Sequence, residues 1–328
     1  MRRPWLDVLK GACIWLVVMN HAMLWPMRAG DETAAFLYGT AFGTVAAFSA
    51  VAGFLSGLHP PGSTGELLRK RAGQLLLPWA LWAPIYAAFP LMWTTLSERP
   101  LPVAFNPGPW ATGIALSGGP LWFLPVLFVA TGVCSFLDGR TDSWWPVAVS
   151  LGAYSALAVL ASLAGTSPLA LGKGTFWAVS PLYVASYWYG LRVARDGLPR
   201  LPEWVRACVV GGSMLAGGIV TLVLLRQPEA RWLMWLPYAI GAFGGCAALA
   251  LAAGATREPG RISRALGRVG VVSLGAYVLH PIVVGPGMLS VPARYGLFGA
   301  IVVIALAVPL VAALAGWAQG IRILRAFV

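Results

Sequence analysis

The sequence predicts an all-α, polytopic integral membrane helix bundle of about ten transmembrane helices. Three observations carry this. The composition is 59% hydrophobic and only 10% charged, where a soluble domain carries about 25% charge. The apolar residues fall in repeated runs of spanning length. The basic residues concentrate in alternate loops. The runs exceed barrel-strand length and lack strict alternation, so helices satisfy the backbone in lipid better than a closed barrel.

The expected spans lie near 6–26, 35–58, 74–95, 121–138, 146–164, 176–194, 206–225, 234–254, 271–289 and 296–318. The connecting loops are short, so residues 1–328 read as one membrane domain. The longest outer loop, around 97–120, is rich in Pro and Gly and is expected to lack regular structure. Trp25, Trp93, Trp110, Trp144, Trp177 and Trp232 recur near span ends and read as an interfacial belt. No internal repeat is visible, which argues against an inverted-repeat transporter.

The net charge of +12 does not point to nucleic acid. Of the 23 basic residues, seventeen sit at the chain ends or in alternate loops, and six in the intervening ones. The positive-inside rule then places both termini in the cytoplasm of a plasma membrane and requires an even number of spans. Cys13, Cys134, Cys208 and Cys246 lie in or beside apolar runs without metal spacing and read as small buried hydrophobes. No metal site is expected. Arg2 and Arg3 precede a run interrupted by Asp7 and Lys10, so the first run reads as an uncleaved span.

That first run holds the chemistry. Asp7, Lys10, Ile14, Val17 and His21 share one helical face. Lys10 and His21 stand roughly 16 Å apart along the axis. Charge inside a span marks a functional site by default. A neutral imidazole can take a hydroxyl proton, so His21 is the candidate general base. Asp7 and Lys10 are grouped with it as candidate catalytic residues. Arg69, Lys70 and Arg71 follow the second run and add positive charge near Lys10's end. They read equally as topology signals. Lys10 alone could also snorkel and pair with Asp7.

The stretch Asp7-Val8-Leu9-Lys10-Gly11, with Val17-Val18-Met19-Asn20-His21, resembles the opening of the acyltransferase-3 family of integral membrane acyltransferases. That family's first helix reads D-x-L-R/K-G, then an apolar run, then V-V-x-x-H. Many members have Arg where this chain has Lys10, which keeps the charge and loses the planar fork. Gly53-Phe54-Leu55-Ser56-Gly57 with Arg69-Lys70-Arg71 and Pro78 is similar to the family's second span and basic loop, with Gln74 near a place often held by Arg. Leu121-Trp122-Phe123-Leu124-Pro125 is similar to its W-F-L motif, with Pro120 where a His often lies just before. Ser273-Leu274-Gly275-Ala276-Tyr277-Val278-Leu279-His280 is similar to its late S-x-x-x-Y-x-x-H helix.

The resemblance implies transfer of a short acyl group, acetyl or similar, from cytoplasmic acyl-CoA to a hydroxyl of a sugar, envelope glycan or secreted small molecule. Acyl-CoA would be a co-substrate, with no permanently bound cofactor. Lys10, Arg69 and Arg71 would meet its phosphates. Trp122, Phe123, Ser273, Tyr277 and His280 would line the substrate site. His280 reads as structural or substrate-orienting rather than catalytic. A transporter or flippase for a glycan or lipid, and a catalytically inactive scaffold, are the rival readings.

Overall fold

The computed structural model describes residues 3–59, 62–86, 121–163, 175–197, 201–227, 229–254 and 260–321. No strand occurs among them. The outer loop around 97–120 lies outside the described residues, as do the side chains of Trp25, Trp177 and Trp232. Trp144 is exposed at the start of its helix, as an interfacial residue should be.

The helices are α1 (Pro4–Arg28), α2 (Glu32–Thr40), α3 (Gly43–Leu58), α4 (Thr64–Arg71), α5 (Phe123–Asp138), α6 (Trp145–Leu163), α7 (Thr175–Asp196), α8 (Glu203–Arg226), α9 (Leu236–Ala253), α10 (Arg261–Val271) and α11 (Ser273–Gly320). Caps mark several starts. The Asp31 carboxylate accepts from the Ala34 N–H, and the Ser63 hydroxyl from the Glu66 N–H, each closing an orphan donor of the first turn. A π-helical segment, Ala72–Leu76, continues α4 into helical residues 77–86. Helix α11 breaks at Gly296, whose φ of 55° lies in the left-handed region.

Six helices are long and apolar enough to cross a membrane: Pro4–Arg28, Glu32–Leu58, Trp145–Leu163, Glu203–Arg226, Leu233–Ala253 and Gly296–Gly320. A seventh forms if Arg261–Val271 and Ser273–Pro281, bent by 76°, make one broken span. The expected count of ten is thus not reached among the described residues. The shortfall has physical causes. Helix α5 has 16 residues, about 24 Å of rise against a hydrocarbon core of about 30 Å. Helix α7 has the length but carries Tyr183, Ser186, Tyr187, Tyr189 and Arg192. It can do so because it lies inside the bundle, where Tyr187 and Trp188 are fully buried. The third expected run is described only to residue 86.

Small residues let the inner helices meet backbone to backbone. A Cβ on Gly190 of α7 would stand 1.8 Å from the Ala50 carbonyl oxygen of α3, and one on Gly53 would stand 1.9 Å from that of Tyr187. Two hydrogen bonds pin the same pair: Ser49 Oγ donates to the Tyr183 carbonyl at 2.7 Å, and the Ser56 hydroxyl meets the Tyr187 hydroxyl at 2.7 Å. Helix α1 lies as closely on α10. A Cβ on Gly270 would stand 1.7 Å from the Asp7 carbonyl oxygen, and one on Gly11 1.9 Å from that of Leu266.

Ion pairs collect at the two ends of the bundle. At the end holding Lys10, Arg195 pairs with Asp138, and Arg192 bridges Asp142 at 3.2 Å and Asp196 at 2.7 Å. Arg192 is buried. At the opposite end Arg226 pairs with Glu32. The cysteine expectation needs one correction. Cys13 and Cys134 are buried, but Cys208 is exposed and Cys246 half-buried. Helix α8 presents much of its apolar surface outward, including Leu215 and Ile219, so a small apolar residue there faces the surroundings.

Candidate active site

Asp7 near the start of α1 packs against Gly270 at the end of α10, just before α11 begins. Further along α1 and α11, His21 and His280 come together. Their rings lie edge to face, 4.8 Å between centroids and 66° between planes. His280 is completely buried, while His21 keeps partial exposure.

Both imidazoles are held by one nitrogen. His21 Nδ1 lies 2.9 Å from the Val17 carbonyl oxygen. His280 Nδ1 lies 2.5 Å from the Tyr277 carbonyl oxygen. A carbonyl oxygen only accepts, so each Nδ1 is the donor, and in the neutral ring each Nε2 then carries the lone pair. Among the described residues, His280 Nε2 is buried with no hydrogen-bond partner. Buried polar atoms are rarely left this way. Trp79 Nε1, Arg192 Nε, Arg206 Nε and Trp235 Nε1 share the condition, but only His280 Nε2 lies beside a second imidazole.

An aromatic wall continues from the pair. The Tyr277 ring is 5.4 Å from His280 and 6.0 Å from Phe123, and Trp122 follows, 6.1 Å from Phe123. Ser273, Tyr277 and His280 share a buried face of α11, as their spacing requires. Ser273 stands about 10 Å of helical rise from His280, so it belongs to the base of that face. Trp122 is one ring further from the histidines than Phe123, packed on Tyr183 at 5.5 Å.

The cations sit elsewhere. Lys10 Nζ is 2.8 Å from Asp7 Oδ1, one turn apart on α1. The shared face read from sequence is present, but the group that reaches His21 is His280, not Asp7 or Lys10. Arg69 and Arg71 lie on α4, whose Leu68 packs on Gly132 of α5. Arg69 is exposed, and Arg71 Nη1 donates to Gln74 Oε1 at 3.2 Å. Gln74 lies in the π-helical segment, a local irregularity common at functional sites.

The chain belongs to the acyltransferase-3 family. The family model, described as an acyltransferase domain, matches residues 3–317. No curated protein and no solved structure matches the chain. The match runs from the first helix through most of α11, so the histidine pair lies well inside an integral membrane acyltransferase domain. Sequence reasoning missed Tyr86. Its hydroxyl donates to the Val278 carbonyl and ties residues 77–86 to the turn that carries His280. Trp82 stacks on it at 6.0 Å. No local motif marks Tyr86, because its partner is a backbone atom 192 positions away. Asn20, next to His21 in the chain, donates to the Tyr38 carbonyl at 3.0 Å and fastens α1 to α2.

Proposed function

We propose that this protein transfers a short acyl group, acetyl or similar, from acyl-CoA to a hydroxyl of a glycan, lipid-linked sugar or secreted small molecule. One observation supports it most: two imidazoles meet inside the bundle, each tied at Nδ1, and among the described residues His280 Nε2 has no partner. The acceptor O–H gives its proton to His21 Nε2. The oxygen attacks the thioester carbonyl carbon, and the tetrahedral adduct collapses. The C–S bond breaks, and the CoA thiolate leaves and takes the proton from His21. An ester and free CoA result. A base placed this way supplies about 10²–10⁴-fold.

The donor enters at the end that holds Lys10. The bundle crosses a cytoplasmic membrane ten times, with both termini inside, and Lys10 faces the cytoplasm. Lys10, Arg69 and Arg71 meet the nucleotide phosphates of acyl-CoA as point charges. The acyl arm then reaches about 16 Å up α1 to His21. Phe123 and Tyr277 form the wall against which the acyl group or acceptor packs. The test is acyl-CoA consumption and acyl incorporation by the purified protein in lipid nanodiscs, alongside mass spectrometry of envelope glycans and secreted compounds with and without the protein. Loss of one acyl mass in cells lacking it supports the reading. Glycan movement across vesicles with no acyl-CoA consumption contradicts it.

A further inference from the structure

We infer that α10 lies along the membrane surface and binds the phosphate headgroups of anionic lipids through Arg261, Arg264 and Arg268. The three follow i, i+3 and i+7 spacing, so they form one stripe. All three are exposed. The opposite face, with Leu266 and Gly270, packs backbone to backbone on Asp7 and Gly11 of α1. That clamp fixes the direction in which the arginines point. Helix α10 has 11 residues, about 16 Å of rise and half the thickness of a hydrocarbon core. Three guanidiniums within it would be costly at the bilayer centre. The helix also turns by 76° from Ser273–Pro281, whose Ala276, Val278 and His280 are completely buried in the bundle. A helix bent this far from the segment it feeds lies across the end of the bundle rather than along it.

The edges of the stripe are apolar. Ile262 is 78% exposed beside Arg261, and Val271 is exposed beyond Arg268. Apolar side chains flanking a basic stripe suit the boundary between headgroups and acyl chains, where arginine stems lie along lipid and their heads reach phosphate. The other cations at this end have partners inside the protein. Lys10 pairs with Asp7, Arg195 with Asp138, and Arg192 with Asp142 and Asp196. Among the described residues, Arg261 and Arg268 form no such pair. A topology signal requires only a count of positive charges. Their alignment on one face goes beyond that, and matches a layer of phosphates that guanidinium forks can grip bidentately. The bound headgroups would brace the helix that packs on the turn of α1 carrying Lys10.

Headgroup binding is measured without turnover. The full-length protein in neutral detergent would receive equal amounts of phosphatidylglycerol and phosphatidylcholine with matched chains, and native mass spectrometry would count the lipids retained. Phosphatidylglycerol should be retained preferentially, and less so as salt rises. Arg261→Gln with Arg268→Gln should lower that preference on the order of tenfold, whereas Arg226→Gln at the opposite end should leave it unchanged. A double glutamine variant with the wild-type preference overturns the inference. Displacement of phosphatidylglycerol by excess inorganic phosphate or by acyl-CoA also overturns it, since α10 would then be a site for a soluble anion. If the double variant fails to fold, phosphatidylglycerol with a photoreactive headgroup decides on the wild-type protein. Adducts within Arg261–Val271 support headgroup binding, and adducts only elsewhere overturn it. Failure here would leave the proposed acyl transfer standing, because no residue of α10 is assigned to it.

Discussion

Helix α1 carries two polar groups, and they differ in one respect. Lys10 is closed: its ammonium sits 2.8 Å from Asp7. The His21 region is open: two imidazoles meet, each tied at Nδ1, and among the described residues His280 Nε2 has no partner. The charge that looks most out of place in the sequence is locally neutralised. The uncharged group leaves the buried atom that can still form a bond. In a low-dielectric interior, unpaired valence marks the reactive centre better than formal charge.

Breaking the frame that holds both regions should have the largest effect. Gly190→Leu puts a side chain where even a Cβ stands 1.8 Å from the Ala50 carbonyl oxygen. The α3–α7 seam cannot close around it. We expect no monodisperse protein after detergent extraction, measured by size-exclusion profile and membrane abundance.

His21→Ala separates chemistry from fold. His21 is partly exposed and makes its nitrogen contact within its own helix, so abundance and thermal stability should stay near wild type. Acyl transfer should fall about 10²–10⁴-fold. Near-wild-type turnover would remove His21 from the mechanism.

Lys10 should behave differently. Lys10→Met leaves Asp7 without that partner but removes a charge from the span, so the helix still inserts. We expect the acyl-CoA requirement to rise by less than about tenfold, more at low salt than at high, since an exposed-end phosphate contact is screened. Lys10→Arg should retain activity. Unchanged donor affinity in Lys10→Met at low salt would confine Lys10 to its pair with Asp7.

The smallest effect belongs to the opposite end. Arg226 and Glu32 are paired, but both are more than half exposed. Arg226→Ala should leave both stability and transfer close to wild type, since a solvent-exposed ion pair contributes little. Thermal melts in detergent and acyl-CoA consumption check both.

The all-α membrane fold was readable because apolar runs of spanning length have few other solutions. The number of spans was harder to read. Helix α5 is short for a bilayer, and α7 is polar because its neighbours, not lipid, surround it. The first motif located His21 correctly on an inward face of α1. Its meeting with His280 was not legible, since the two lie on helices at opposite ends of the sequence. Sequence reading accordingly kept His280 as a structural or orienting residue. The outward position of Cys208 escaped for a related reason, because an apolar run gives little sign of which side faces lipid. Tyr86 left no trace, since a tyrosine in an apolar run does not announce a backbone partner on another helix.

The central claim is that His21 and His280 act as one unit, and a double-mutant cycle tests it most directly. Acyl-CoA consumption would be compared at equal protein in membrane vesicles for wild type, His21→Ala, His280→Gln and the double variant. Residues acting as a unit are strongly non-additive. The double variant should therefore be no slower than His21→Ala, within a factor of about three. Losses that multiply would contradict the account and leave two histidines that are neighbours without being partners.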